Sequence, residues 1–225
     1  MINREYIDNN LKKDMVLYAV TDSNLSAGKK LEKEVEKAIR GGATFIQLRE
    51  KNLDAEDIYE EAVRIKEVCN RYNVPFVIND NVEIAVKSGA DGVHLGQNDM
   101  EVDKARKILG PDKIIGASAH SVVEAVQAMN AGADYLGAGA VFTTGTKKDA
   151  GSLPHETFKA ICEAVSIPVV AIGGVTYDNV LQLKETGMSG VAVVSAVFGA
   201  DDVCVATQKL SKSRILNHFT NKPDI

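Results

Sequence analysis

The stretch Phe76–Asp99, FVINDNVEIAVKSGADGVHLGQND, decides the fold. Phe76-Val77-Ile78 is a short apolar run that stops at Asn79-Asp80. Gly92-Val93-His94-Leu95 is a second run that stops at Gly96-Gln97-Asn98-Asp99. Val82–Ser88 between them has helical character, with Gly89 placed to close it. The connection is too long for a hairpin and suits a crossover helix, so the two strands run parallel. Parallel neighbours bring Asp80 and Asp99 to the same end of the sheet. Two carboxylates converging there repel unless a cation sits between them. Hard oxygen ligands of this kind suit Mg²⁺ completed by water and a substrate's phosphates. Alone, either acid is better read as a turn former or helix cap; the rest of the chain tips the balance to the metal.

The same unit repeats on both sides of this stretch. Asn3–Lys13 reads as a short N-terminal helix. Met15–Val20 is the first strand, followed by the helix Lys29–Arg40. Ala43–Leu48 is the second strand, with the helix Asp54–Tyr72 after it. Beyond Asp99 come the helix Val102–Leu109, the strand Ile114–Ala117 and the helix Val122–Ala131. Ser121 and Glu124 form a capping box for that last helix. Tyr135–Gly139, Pro168–Ile172 and Gly190–Val194 are the last three strands. Pro154–Val165, Asp178–Thr186 and Asp201–Leu216 are their helices. The phrases GGATFIQL, SGADGVHL, AGADYLGA and TGMSGVAVV echo one another at the spacing of one βα unit, an internal-repeat signature. Strict βα alternation means parallel strands. Eight units in 225 residues favour one closed (β/α)₈ TIM barrel domain over residues 1–225, with an open doubly wound sheet as runner-up. No GxGxxG follows the first strand.

Composition narrows the class. Hydrophobic residues make up 45%, charged residues 25%, and the net charge is −5, an ordinary globular profile with no electrostatic footprint for nucleic acid. No apolar run nears the roughly 20 residues of a membrane helix, and the N-terminus lacks the apolar core of a signal peptide. Cys69, Cys162 and Cys204 are widely spaced and odd in number, with no disulfide framework or zinc spacing. These features point to the reducing cytoplasm and to small-molecule partners rather than membrane or nucleic acid. A homo-oligomer is compatible with them.

In such a barrel the loops after the strands build the active face. Those strand ends carry Gln47, Arg49, Lys51, Asn79, Asp80, Asp99, Ser118, His120, Thr144, Thr146, Lys147, Gly173, Gly174 and Ser195. Gly173-Gly174 and Val194-Ser195 follow strands seven and eight, where barrels often hold a phosphate on backbone N–H groups. A tight turn is the other reading of the glycine pair. Arg49, Lys51 and Lys147 share the rim with the two acids, an arrangement suited to phosphates bridged through a metal. From position and residue type alone, the chain reads as a barrel binding two phosphorylated groups, one through Mg²⁺ and one through glycine amides.

The same strand ends carry a family resemblance. QLREK (Gln47–Lys51), IND (Ile78–Asp80), DGVHLGQND (Asp91–Asp99), IGASAHS (Ile115–Ser121), DYLGAGAVFTTGTKKD (Asp134–Asp149), AIGGV (Ala171–Val175) and GVAVVSA (Gly190–Ala196) together resemble the thiamine-phosphate synthases, in order and over seven of the eight strands. The resemblance implies a transferase. It would join 4-amino-5-hydroxymethyl-2-methylpyrimidine diphosphate to a thiazole phosphate or its carboxylate, giving thiamine phosphate and diphosphate by a dissociative, carbocation-type route. It implies that Gln47, Leu48, Arg49, Glu50, Lys51, Asn79, Ser118 and Lys147 bind the pyrimidine diphosphate. Thr144, Gly145, Thr146, Gly174, Val194 and Ser195 would bind the thiazole phosphate, and Asp80 and Asp99 would hold Mg²⁺. Arg49, Lys147 and Ser118 would be the catalytic residues. One departure is Ala140, where the family commonly has proline. Two rivals stand beside this reading. One is a thiazole tautomerase using His120 as acid and base; the other is a non-catalytic phosphate-sensing barrel.

Overall fold

In the computed structural model, eight parallel strands close into a barrel in chain order, each pairing with the next and β8 with β1. Residues 2–25, 28–143, 152–213 and 215–216 are described. The strands are β1 (Leu17–Val20), β2 (Phe45–Leu48), β3 (Phe76–Asn79), β4 (Gly92–Leu95), β5 (Ile114–Ala119), β6 (Tyr135–Gly139), β7 (Val169–Ile172) and β8 (Gly190–Val193). The open-sheet alternative is thereby excluded. The helices are α1 (Arg4–Asp14), α2 (Leu31–Arg40), α3 (Ala55–Tyr72), α4 (Val82–Lys87), α5 (Val102–Leu109), α6 (Val122–Asn130), α7 (His155–Ala164), α8 (Ser195–Phe198) and α9 (Val203–Ser211).

The period of two along each strand divides the core into two layers. Residues such as Ile46, Leu48, Ile78, Val93, Leu136 and Val191 face outward and pack under the helices. Tyr18, Phe45, Val77, Ile114, Tyr135, Val170 and Ala192 fill the barrel interior. Ile7 and Leu11 of α1 and Met15 belong to this inner cluster, so α1 stoppers the N-terminal mouth. Its anchor is Arg4, whose Nη1 donates to Asp134 Oδ1 at 2.7 Å, just before β6. Arg106 Nη2 takes the other oxygen, Oδ2, at 2.6 Å. Each fully buried Leu or Ile in this stopper contributes about 1.5–3 kcal/mol. Among the described residues, the C-terminal mouth is the end left open to a ligand.

Several local expectations shift. The segment expected as the helix Asp178–Thr186 forms only a 3₁₀ turn, Val180–Leu183. Asn179 explains its start, because its side chain accepts from Thr176 N–H at 2.8 Å and donates to the Gly174 carbonyl at 2.8 Å. Glu185 at φ +68° ends it. β5 runs on through Ala119, so Ser118 stands within the strand rather than beyond it. β8 stops at Val193, and Ser195 opens α8. The box at α6 is half formed as expected: Ser121 Oγ accepts from Glu124 N–H at 3.2 Å. Glu124 Oε2, however, takes the N–H of His120, at 2.6 Å, rather than that of Ser121. The Gly139–Ala140 peptide is cis.

Candidate active site

The C-terminal mouth is a cavity of about 390 Å³. Gln47, Arg49, Lys51, Asn79, Asp80, Asp99, Ser118, His120, Gly174, Val194 and Ser195 all line it, drawn from six of the eight strands or the loops after them. Two residues expected at the pyrimidine diphosphate do not line it. Leu48 is fully buried among the helices, since the strand's period turns it outward. Glu50 turns toward the β1 loop, where its carboxylate accepts from Thr21 Oγ1 at 3.2 Å and Ser23 N–H at 3.2 Å. Thr21 Oγ1 in turn accepts from the N–H of Arg49 at 2.9 Å, so Glu50 acts on the site by holding the backbone that carries Arg49. Burial pushes the Glu50 carboxyl up, against hydrogen bonds from Ser23 and Thr21 that lower it. Thr144, Gly145, Thr146 and Lys147 lie outside the described residues.

The two acids meet as their strand positions require. Asp80 sits at φ +63°, a left-handed conformation that costs a non-glycine residue about 1–3 kcal/mol and concentrates at functional sites. Its N–H donates to the His94 carbonyl at 2.8 Å, extending the β3–β4 ladder while the backbone turns. Asp99 closes its own turn, its Oδ2 accepting from Gly96 N–H at 2.7 Å. The turn-former reading of Asp99 is therefore true as well. Lys51 Nζ lies 2.5 Å from Asp80 Oδ2. Burial pushes both carboxyls up. In Asp80 this is outweighed by hydrogen bonds from Asp99 and Lys51, which hold it below the ordinary range. In Asp99 the charge of Asp80 adds to burial and raises it. Two carboxylates whose ionisations act on each other are a hard-oxygen pair that would fit a divalent cation once other ligands complete it. Among the described residues no group of three or more His, Cys, Asp and Glu gathers.

Across the mouth, Gly173 and Gly174 sit at φ +92° and +69°. A Cβ on Gly174 would stand 2.5 Å from the Thr143 carbonyl and 2.8 Å from Phe142 Cβ; one on Gly173 would stand 2.5 Å from Ala140 Cβ. The pair is thus a tight turn that lets the loop after β6 lie against it, with Phe142 N–H donating to the Gly173 carbonyl at 3.0 Å. Beside it Val194 leads into α8, whose first residue is Ser195. A helix start of this kind favours an anion.

Below the mouth runs a buried polar chain that local patterning does not reveal. The Gln47 side-chain amide donates to Tyr18 Oη. Tyr18 Oη is 2.8 Å from Tyr135 Oη, which is 3.0 Å from His94 Nδ1; His94 Nε2 is 3.1 Å from Ser118 Oγ. The rings of Tyr18, Phe45 and Tyr135 meet edge to face, with centroids 4.6–5.8 Å apart. Gly116 makes room: a Cβ there would stand 2.1 Å from Tyr135 Cζ. Burial raises the phenols of Tyr18 and Tyr135. Gln97 braces the far end, its amide donating to the Ser118 carbonyl at 2.5 Å. The only sequence signal for Tyr18, His94 and Tyr135 was the period of two that turns each inward.

A closed (β/α)₈ barrel with paired acids, cations and a glycine turn around its C-terminal mouth defines a class: barrel enzymes that handle phosphorylated small molecules. Within that class, the sequence profile of the family described as thiamine monophosphate synthase matches residues 17–197, and the chain belongs to this family. A thiamine-phosphate synthase of Ruminiclostridium cellulolyticum is 49% identical over 211 residues, 94% of this chain and 98% of that protein. One from Clostridium tetani is 48% identical over 88% of this chain and 95% of its own length. The solved thiamine phosphate pyrophosphorylase of Pyrococcus furiosus superposes with a TM-score of 0.85 at 42% identity, over 93% of this chain and 99% of that one. The chain is an enzyme of the transferase type.

Proposed function

We propose that the chain condenses 4-amino-5-hydroxymethyl-2-methylpyrimidine diphosphate with 4-methyl-5-(2-phosphoethyl)thiazole to give thiamine phosphate and diphosphate; from the thiazole carboxylate the same product forms with loss of carbon dioxide, a proton from water taking the vacated position on the ring. The observation that carries this reading is the position of Asp80, Asp99, Lys51 and Arg49 on one side of a single cavity, opposite Gly174 and Ser195. Two anionic groups then meet across one cavity, which suits joining two phosphorylated rings.

Gln47 and Ser118 meet the polar edge of the pyrimidine, with Asn79 beside them. Arg49 and Lys51 hold the diphosphate, joined by Lys147 from the segment outside the described residues. They stabilise the charge that develops as the diphosphate departs, an effect that counts most in the transition state. Asp80 and Asp99 would hold Mg²⁺, which would supply neutralisation of the leaving diphosphate. The bond from the pyrimidine CH₂ to oxygen breaks with its electron pair leaving on diphosphate, and the aminopyrimidine spreads the resulting positive charge. The thiazole nitrogen gives its lone pair to that carbon. Gly174, Val194 and Ser195, with Thr144, Gly145 and Thr146, fix the thiazole phosphate so that the nitrogen faces the carbon. No proton needs to be removed from the nitrogen, so no general base is required.

His120 bears on the tautomerase alternative. It stands at the rim, nearly half exposed, with Nδ1 3.3 Å from Glu124 Oε2. That surface pairing supports a rim role over acid–base chemistry at a substrate carbon. The free thiols Cys69, Cys162 and Cys204 support a reducing, cytoplasmic setting. No helix among the described residues is long and apolar enough to cross a membrane. Mixing both substrates with Mg²⁺ and following diphosphate and thiamine phosphate together tests the function: stoichiometric appearance is expected. Isomerisation of a thiazole carboxylate phosphate without diphosphate release would replace it with the tautomerase.

A further inference from the structure

The buried chain from Gln47 to Ser118 has a direction, and the direction has a consequence for the substrate. A phenol has one proton to donate, while its oxygen can accept as well. The amide of Gln47 donates to Tyr18 Oη, so the Tyr18 proton goes on to its other polar neighbour, Tyr135 Oη. Tyr135 then spends its proton on His94 Nδ1. A neutral imidazole that accepts at Nδ1 carries its own proton on Nε2, and this donates to Ser118 Oγ. Because Ser118 then accepts from His94 rather than donating to it, the hydroxyl proton of Ser118 is left for a partner in the cavity that Ser118 lines.

We infer that Tyr135 is a positioning residue which, by fixing the Nε2–H tautomer of His94, presents Ser118 to the substrate as a hydrogen-bond donor. The site therefore selects a substrate with an acceptor, a ring nitrogen or a diphosphate oxygen, against Ser118. Tyr135 itself is fully buried and is walled in by Phe45 and the backbone at Gly116. It acts only through His94. The tautomer is independent of the proposed reaction; its effect on turnover rests on the synthase reading.

The test is long-range ¹H–¹⁵N correlation on substrate-free enzyme labelled at histidine, with His94 assigned from the spectrum of His94→Gln. The expected result is a non-protonated Nδ1 and a protonated Nε2. A protonated Nδ1, whether in the other tautomer or in a ring protonated on both nitrogens, overturns the inference. Tyr135→Phe removes the lock. It should give a mixture of tautomers and lower kcat/KM for the pyrimidine diphosphate about tenfold, the equivalent of one neutral hydrogen bond. The KM for the thiazole phosphate should not move. A variant that keeps the wild-type tautomer and kinetics, or loses both substrates equally, counts against a positioning role. Should Tyr135→Phe not fold, Tyr18→Phe serves, since Tyr135 still donates to Nδ1 there and the Nε2–H tautomer should persist; its loss overturns the scheme. Absence of thiamine phosphate from the wild type would sink the proposed function while leaving the tautomer result intact.

Discussion

Lys51 Nζ lies 2.5 Å from Asp80 Oδ2 at the cavity mouth, an ion pair between the loop after β2 and the end of β3. With both side chains partly open to water the pair itself adds little stability. Its meaning is positional: an ammonium ion stands against one of two adjoining carboxylates. A divalent cation bound there would compete with Lys51 for Asp80 and with a proton for Asp99, and on the proposed function the diphosphate would give Lys51 a new partner.

Asp80→Ala and Asp99→Asn should therefore each cut Mg²⁺-dependent turnover by at least about a hundredfold, a loss of roughly 2.7 kcal/mol in transition-state stabilisation. Asparagine at position 99 keeps an acceptor for the Gly96 N–H, so the turn and the melting temperature should hold. Because the fold raises the Asp99 carboxyl, Asp99→Asn should leave the metal-free protein at neutral pH as stable as the parent or more so, whereas Asp80→Ala also loses the Lys51 pair. Near-normal rates at low Mg²⁺ in either variant would remove these acids from the metal.

Substitution at Gly174 tests the opposite wall. The residue's φ of +69° costs a side-chain-bearing residue about 1–2 kcal/mol, and a Cβ 2.5 Å from the Thr143 carbonyl adds to it. Gly174→Ala should lower stability by more than this backbone cost alone in urea denaturation. The β6 loop must also shift, so KM for the thiazole phosphate should rise well above any change in KM for the pyrimidine diphosphate. Equal changes would argue against a phosphate at this turn.

Much of this site was legible in the sequence because a parallel strand has a fixed period and a fixed end. Asn79, Asp80, Asp99 and Ser118 could be assigned to one mouth from short apolar runs alone. The same period could have excluded Leu48, which alternates with Gln47 and so faces the helices. Glu50 was less accessible, since its partners Thr21 and Ser23 lie on another strand's loop. The Tyr18–Tyr135 contact joins positions 117 residues apart across the barrel interior, and no local pattern carries it. The 3₁₀ turn Val180–Leu183 escaped for a similar reason. Its shape follows from Asn179 reaching back to the Gly174 carbonyl, a tertiary demand on a segment with the spacing of a helix.

Asp14 provides a pH test of the stoppered end. Burial raises its carboxyl from 3.8 to about 6, against the hydrogen bond from Tyr6 Oη at 2.9 Å, which lowers it. The folded state thus binds this proton more tightly than the unfolded chain. Its favourable contribution is present below the unfolded value and is lost as pH rises through about 6. Asp14→Asn keeps an acceptor for Tyr6 and removes the buried charge. It should raise the melting temperature at pH 8, with the gain shrinking through pH 6 and nearly gone at pH 4. A gain independent of pH would mean that the charge is not the cause.

Lys147 and His120 separate transfer from isomerisation. Lys147, in the segment after β6, is expected to meet the departing diphosphate as a full positive charge. Hydrogen bonds to charged groups contribute about 1.5–3 kcal/mol, and more when the charge grows in the transition state. Lys147→Ala should then lower kcat about tenfold to a hundredfold, since each ~1.4 kcal/mol is a factor of ten. His120→Ala removes a side chain that is 46% exposed and paired with Glu124, while the backbone N–H of His120 can still donate to that carboxylate. Carbon–nitrogen bond formation asks no proton transfer of it, so its effect on kcat should be much smaller. Thiamine phosphate formation by both variants at saturating substrates is the deciding measurement. An inactive His120→Ala beside an active Lys147→Ala would reverse the assignment and return His120 to the acid–base role of a tautomerase.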